Sequence, residues 1–168
     1  MPKLLSAALL ALACALPAQA ATIGDMAPEA AGVVLSGPEG IKLSQLKGRV
    51  VIVDFWASWC GPCIQAMPEL DAMRADLHKK GYGDKFEVLG VSIDRNVEDA
   101  RRFAKARPVT YPLVVDQLGF APRFYEVWRL PATYLVAQDG RISMVYHGYG
   151  AGFTEDLKQR VIALMNKK

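Results

Sequence analysis

Two cysteines, Cys60 and Cys63, stand three positions apart in the stretch DFWASWCGPC, at the end of an apolar run. A disulfide that closes so short a loop stabilises a fold by only about 2 kcal/mol in the chain-entropy treatment, which is among the least that a disulfide contributes. A purely structural role is therefore a weak explanation for the pair. Reversible thiol–disulfide exchange is a better one, because one thiolate can attack a substrate disulfide and the other thiol can then release the product.

The elements on either side of the pair favour this chemistry. The apolar run Val50–Trp56 predicts a central β-strand covered on both faces, and an apolar stripe predicts a helix from Pro62 to Lys79. Cys60 falls at their junction, where unpaired N–H groups and the helix dipole lower the pKa of a thiol. Cys63 lies one turn further along, on the apolar stripe and shielded from solvent. We therefore predict that Cys60 attacks the substrate and that Cys63 resolves the mixed disulfide.

Asp54, six positions before Cys60, is a second group that could take part in the chemistry. It alternates with Ile52 and Trp56 along a strand whose two faces are both predicted to be buried. Because desolvation raises the pKa of a carboxyl group, Asp54 is a candidate proton acceptor or donor for Cys63. The alternative, in which Asp54 caps the end of the strand in water, fits the burial pattern less well.

The rest of the chain predicts one α/β domain with a central mixed β-sheet flanked by helices. Near the beginning, Val33–Leu35 and Ile41–Leu43 flank a turn rich in Gly and Pro and predict a β-hairpin. Asp139-Gly140 predicts the turn of a second hairpin. Further strands are expected at 86–93, 111–115, 133–137 and 141–147, and further helices at 97–106, 119–125 and 153–165.

The first twenty residues follow the order of a secretory signal peptide. A short basic region precedes an apolar run over residues 4–16, and a small-residue cleavage signature ends at Ala20. We expect cleavage after Ala20, which leaves residues 21–168 as one domain of an exported protein. Cys14 offers a competing interpretation, a lipidation site that would tether the protein to a membrane, but the downstream cleavage signature is the better match.

Charge and histidine positions weigh against two other classes of function. Without the expected signal peptide the chain has 19 basic and 17 acidic residues, a balance that argues against a dedicated nucleic-acid binder. Cys60 and Cys63 could join His78 or His147 in a metal site, so a copper binding or delivery module is the main alternative function. His78, however, stands near the far end of the predicted helix. A peroxidase is a weaker alternative, because a second cysteine one turn away suits dithiol exchange better.

The stretch VDFWASWCGPC, residues 53–63, resembles the thioredoxin active site almost residue for residue. Pro68 matches the kinked helix of thioredoxins, and Leu130-Pro131-Ala132-Thr133 resembles their cis-proline loop. The beginning of the chain and a segment inserted at about 94–116 resemble the exported TlpA, ResA and CcmG type. These features cover most of residues 25–166. They imply a thioredoxin-like fold with an N-terminal hairpin and a central insert.

The resemblance implies a periplasmic thiol–disulfide oxidoreductase that acts on disulfide-containing proteins and is kept reduced by a membrane thiol electron donor. Reduction of apocytochrome during cytochrome c maturation, as in the CcmG type, is one candidate task. Pro131 is expected to be cis and to complete the catalytic site with the two cysteines and Asp54. The backbone of Leu130 is expected to pair with a substrate strand. The expected substrate-binding residues are Trp59, Gly61, Pro62 and Leu130.

Gly-Pro between the cysteines resembles the reducing rather than the oxidising members of the family. We also expect a monomer without a cofactor or metal.

Two departures from the exported type stand out. Many of its members carry Asn where this chain has Asp54. Some carry an acidic residue of the insert near the cysteines, and Asp94 and Glu98 are both candidates for that position, between which the sequence does not decide.

Overall fold

The computed structural model describes residues 21–167, which form a six-stranded mixed sheet with helices on both faces. This is the predicted α/β architecture. The strands are β1 Val33–Ser36, β2 Val50–Trp56, β3 Phe86–Ser92, β4 Leu113–Val115, β5 Ala132–Val136 and β6 Ile142–His147. Their order across the sheet is β1-β4-β3-β2-β5-β6.

Strand β2 is central, and all seven of its residues are buried. Its side chains alternate between two cores because successive residues of a strand point to opposite faces. Ile52 and Trp56 pack in one core, whereas Val53 and Phe55 pack in the other. A strand buried on both faces reads as a continuous apolar run, which is why its bounds were predictable to the residue.

Three helices cover one face of the sheet, and two short helical segments cover the other. The first face carries α1 Gly61–Leu77, α2 Val97–Ala106 and α4 Phe153–Met165, and the second carries a 3₁₀ helix at Leu43–Leu46 and α3 Phe120–Phe124. The predicted bounds of α2 and α4 are confirmed. Helix α1 is followed by one wider, π-helical turn, in which Gly81 adopts a φ of 88°. This left-handed conformation is one that glycine adopts at little cost, and it interrupts the helical backbone two residues beyond the predicted end at Lys79.

The strand pairing brings two loops to the same edge of the sheet. Strands β2, β3 and β4 run parallel, so their carboxyl ends meet at that edge. Strand β5 runs antiparallel to β2 and pairs Ala132 with Phe55, so β5 begins where β2 ends. The turn that carries Cys60 and the loop that carries Pro131 therefore leave the sheet at the same edge.

The predicted N-terminal hairpin is wrong. Its first strand forms, but it pairs antiparallel with β4 and places Val33 opposite Val115. Its second half forms no strand and leads into the 3₁₀ helix Leu43–Leu46. The turn between them exists, with the Ile41 N–H donating to the Pro38 carbonyl at 3.2 Å. After this turn the apolar side chains pack onto the second face of the sheet instead of returning alongside β1.

The second hairpin is confirmed. Strands β5 and β6 pair antiparallel, the Ala137 N–H donates to the Arg141 carbonyl at 2.8 Å, and Gly140 has a φ of 86° in the turn between them. The expected signal peptide, its cleavage site and Cys14 lie outside the described residues. Within residues 21–167, no helix has the length and apolar character needed to cross a membrane.

Candidate active site

Cys60 and Cys63 form a disulfide at the N-terminus of α1, with an S–S distance of 2.02 Å. Cys60 is the N-cap residue of this helix, and the backbone N–H of Cys63 donates a 3.2 Å hydrogen bond to its Sγ. The predicted position at the junction of strand and helix is therefore confirmed. In the dithiol form, the same N–H group and the dipole of a 17-residue helix favour negative charge on the Cys60 sulfur.

The residues directly beside Cys60 in the sequence are exposed. Trp59 is 69% exposed, and Gly61 and Pro62 are exposed as well. Cys63 is fully buried in the core below, as predicted, and Cys60 is itself only 4% exposed. The residue directly before Cys60 therefore presents an exposed aromatic side chain.

The loop before β5 lies at the same edge of the sheet as the turn that carries Cys60. Its Leu130–Pro131 peptide bond is cis, as expected. Pro131 is buried, and its carbonyl accepts a 2.7 Å hydrogen bond from the Gly148 N–H, which ties the loop to the end of β6. Leu130 is half-buried and packs against both cores. The loop thus has a fixed position relative to the end of β2.

Asp54 is fully buried in β2, as the strand pattern predicted. Its Oδ1 accepts a 2.7 Å hydrogen bond from the Thr133 hydroxyl, and its Oδ2 has no hydrogen-bond partner among the residues described. Burial raises the pKa of the Asp54 carboxyl from 3.8 to about 7, an effect that the Thr133 hydrogen bond partly offsets. The predicted increase in the pKa of Asp54 is confirmed. Asp54 can therefore exchange a proton near neutral pH.

Two more buried polar atoms without a partner in the described part of the chain lie near this carboxyl. They are Nε1 of Trp56 and the hydroxyl of Tyr111. A Cβ atom at Gly90, which pairs with Asp54 across β2 and β3, would lie 3.2 Å from the Trp56 Nε1 and 3.1 Å from the Tyr111 ring. Burial and the charge of Asp54 both raise the pKa of Tyr111. Tyr111 stands in the predicted strand 111–115, and no local sequence pattern associates it with the site.

Asp94 and Glu98, the two candidate acids of the insert, differ sharply in position. Asp94 is 4% exposed and accepts hydrogen bonds from Ser58, in the turn before Cys60. Glu98 is exposed on α2 and pairs with Arg101. Asp94 is therefore the acid that contacts the turn carrying the redox pair. The sequence shows that Asp94 is an acidic residue two positions beyond a buried strand. No local pattern, however, identifies Ser58 as its hydrogen-bond partner.

The residues of the alternative metal site are not brought together. The ring of His78 hydrogen-bonds to the Phe86 carbonyl through Nε2 at 3.0 Å. His147 packs on Trp128, with ring centroids 4.9 Å apart. Within residues 21–167, no group of three or more His, Cys, Asp and Glu side chains is arranged to hold a metal ion.

The sequence profile of the AhpC/TSA family matches residues 23–145, which is most of the chain. The chain belongs to the AhpC/TSA family. It is 34% identical to the thioredoxin-like protein YneN of Bacillus subtilis over 128 residues, which cover 74% of this chain and 71% of that protein. It is 30% identical to the thiol-disulfide oxidoreductase ResA of Geobacillus thermodenitrificans over 144 residues, which cover 84% of this chain and 78% of ResA.

A solved structure agrees with this assignment. The thioredoxin domain of a thiol-disulfide oxidoreductase from Bacteroides vulgatus superposes with a TM-score of 0.71 at 26% identity, covering 83% of this chain and 98% of that domain. This member of the AhpC/TSA family is a thioredoxin-like thiol–disulfide oxidoreductase with the Cys60–Cys63 pair.

Proposed function

We propose that this oxidoreductase reduces protein disulfides, with Cys60 as the attacking nucleophile and Cys63 as the resolving thiol. The observation that carries the proposal is the position of Cys60 at the N-cap of α1, where the Cys63 N–H lies 3.2 Å from its Sγ. This position favours the thiolate, which is the attacking species in disulfide exchange. Cys63 is fully buried and accessible to the neighbouring sulfur, which suits the resolving step.

The reaction takes place in two exchanges. The Cys60 thiolate attacks one sulfur of the substrate disulfide, and the other substrate sulfur leaves as a thiolate and takes a proton from water. Cys63 then gives its proton to the Asp54 carboxylate and attacks the Cys60 sulfur, so the second substrate thiolate leaves. The substrate gains two electrons, and the Cys60–Cys63 disulfide forms. Asp54 suits this proton transfer because its pKa of about 7 lies near the working pH.

The substrate contacts the protein at the edge of the sheet where the two loops meet. The exposed Trp59, Gly61 and Pro62 surround Cys60, and the loop of Leu130 and cis-Pro131 begins β5 beside the end of β2. An extended substrate segment pairs with the backbone of Leu130, in the manner of an added strand, while its disulfide lies against Cys60.

The proposal also includes a compartment and an electron donor. The chain is exported by its N-terminal signal peptide, is cleaved after Ala20 and works as a periplasmic monomer. A membrane thiol donor returns the pair to the dithiol form after each cycle. Apocytochrome in cytochrome c maturation is a candidate client, since it presents a disulfide that must be reduced. The apolar run at 4–16 and the small residues ending at Ala20 support export.

Cysteine variants test the two thiol roles. The wild-type protein is expected to reduce insulin disulfides with dithiothreitol as donor, and Cys60→Ala is expected to abolish this activity. Cys63→Ala is expected to accumulate a mixed disulfide between Cys60 and the substrate, because the resolving thiol is absent. Stable trapping by Cys60→Ala, with none by Cys63→Ala, would reverse the assignment.

Two further measurements test direction and compartment. Equilibration with glutathione is expected to give a reduction potential well below that of the glutathione couple, whereas a value above it would make the protein an oxidant. N-terminal sequencing of the processed protein from a Gram-negative host is expected to give Ala21 in the periplasmic fraction. A membrane-bound product beginning at Cys14 would replace export with lipid anchoring.

A further inference from the structure

The Asp94 carboxylate is the centre of a small hydrogen-bond cluster at the end of β3. Its Oδ2 accepts from the Ser58 N–H at 2.9 Å and from the Ser92 hydroxyl at 2.7 Å, and its Oδ1 accepts from the Ser58 hydroxyl at 2.8 Å. The Asp94 N–H in turn donates to the Ser92 oxygen at 3.0 Å. The carboxylate is thus bound by three donors while it is 4% exposed. A buried carboxylate with this many donors strongly fixes the groups that it binds.

Two of the three donors belong to Ser58, which lies in the turn between β2 and α1. One is its main-chain N–H and the other its side-chain hydroxyl, so both the position and the orientation of the residue are fixed. The turn is tied at two other points. The Ile93 N–H donates to the Trp56 carbonyl at 2.9 Å, and the Cys60 N–H donates to the Ala57 carbonyl at 3.0 Å. The segment before the redox pair is therefore attached to the end of β3.

We propose that Asp94, supported by Ser92, is the positioning residue of the redox turn. It holds Ser58 so that the Cys60 sulfur stays at the N-terminus of α1, within reach of the Cys63 N–H. In the dithiol form this placement stabilises the Cys60 thiolate, because a sulfur displaced from the helix end loses the N–H and part of the dipole. Asp94 acts through its two hydrogen bonds to Ser58, which is part of the turn. It does not need to contact either sulfur. The inference rests on thiol–disulfide chemistry at Cys60, whichever direction that chemistry takes.

The test compares Ser58→Ala with Ser58→Thr in a Cys63→Ala background, in which Cys60 is the one thiol of the pair that remains. The rate of alkylation of Cys60 by iodoacetamide is measured as a function of pH, with peptide mass spectrometry to locate the modification. Ser58→Ala keeps the carboxylate but removes one of its hydrogen bonds. We expect a higher Cys60 pKa and alkylation about three- to tenfold slower at neutral pH, from the usual strength of such a bond. Ser58→Thr keeps the hydroxyl and is expected to restore the wild-type profile.

Asp116 supplies a matched control, because it is also a buried carboxylate at the end of a strand. It is 8% exposed and accepts hydrogen bonds from the N–H groups of Gly119 and Ala121, which lie on the other face of the sheet. Asp116→Asn is expected to lower thermal stability while leaving the alkylation profile of Cys60 unchanged. If Ser58→Ala behaved in the same way, losing stability without a change in the profile, Asp94 would be a merely structural residue and the proposal would be overturned.

A double variant tests the pathway from Asp94 to the sulfur. In an Asp94→Ala background, Ser58→Ala is expected to cause no further change in the Cys60 profile, since its partner oxygen is gone. A full effect of Ser58→Ala in that background would show that the hydroxyl acts through another group, and the proposal would fail. Alkylation needs no substrate, so these results stand even if the protein turns out to be an oxidant and the proposed direction is wrong.

Discussion

Asp54 and Gly90 are direct partners in the parallel pairing of β2 with β3. Because Gly90 has no side chain, the Trp56 indole and the Tyr111 ring approach the sheet closely at this point. Their polar atoms and Oδ2 of Asp54 are all buried without a hydrogen-bond partner in the described chain. The carboxyl group is therefore in surroundings that favour its neutral form, which explains a pKa of about 7.

Asp54→Asn is expected to stabilise the protein in a pH-dependent way. The folded-state pKa of about 7 lies above the ordinary value of 3.8, so the folded protein binds this proton more tightly than the unfolded chain. The contribution of Asp54 to stability is therefore full below pH 3.8 and is lost as the pH rises to about 7. At pH 8 the neutral variant is expected to be more stable by roughly 1–3 kcal/mol, after allowance for the unpaired amide of Asn.

Urea unfolding of the disulfide form at acid and alkaline pH measures this difference. At pH values below the ordinary carboxyl pKa, the two proteins are expected to differ by no more than the cost of the unpaired amide. Thr133→Val provides a comparison, because it removes the hydroxyl that favours the Asp54 carboxylate and should raise the Asp54 pKa further. A difference between wild type and Asp54→Asn that did not change with pH would contradict the raised pKa.

We predict that the same proton governs the resolving step. With wild-type protein, release of the second substrate thiol in a single turnover is expected to accelerate as the pH rises through about 7, because Asp54 then becomes a carboxylate that can accept the Cys63 proton. Asp54→Asn is expected to slow this step at least about tenfold and to remove that part of the pH profile. Formation of the mixed disulfide by Cys60 serves as the internal control. Equal slowing of both steps would argue against a specific role in resolution.

Much of the fold was predictable because the relevant signals are local. The bounds of β2 follow from a continuous apolar run, and those of α2 and α4 from the positions of their apolar residues. The pairing of Val33 with Val115 was not predictable, since the two residues are far apart in the sequence and a Gly- and Pro-rich turn offered a nearer partner. Local turn chemistry identified the bend correctly but not the strand that lies beside β1.

The candidate site likewise has residues that local motifs predict and contacts that they do not. Cys60, Cys63 and Pro131 stand in short motifs whose spacing carries the information. The contact between Ser58 and Asp94 joins two segments separated by 36 positions, and the sequence gives no reason to prefer Asp94 over another acid nearby. The environment of Asp54 likewise depends on residues from β3 and from the segment before β4, which meet only when the sheet forms.

Gly90→Ala is expected to destabilise the protein by about 1–3 kcal/mol, because an added methyl group overpacks a filled core. The new Cβ would lie 2.5 Å from Cδ2 of Leu113 and 3.1 Å from the Tyr111 ring, and both side chains are buried. Thermal or urea unfolding measures the effect. Gly150→Ala is the matched control, since a Cβ there meets no atom within 4 Å and should change stability little. Similar unfolding midpoints for the two variants would show that the space beside Asp54 is larger than the structure indicates.

Arg74→Met is expected to cost about 3 kcal/mol, because it leaves a buried carboxylate without its cation. Arg74 on α1 binds Glu87 on β3 through two nitrogens, with Nη2 3.0 Å from Oε2, and the Glu87 side chain is only 8% exposed. Glu87→Gln combined with Arg74→Met should recover much of the loss, since no charge is then buried alone. Arg102→Met is the surface control, because its pair with Asp99 is largely exposed and should contribute less than about 1 kcal/mol. If both Arg variants unfolded at the same urea concentration, the contact between α1 and β3 would be no stronger than a surface ion pair.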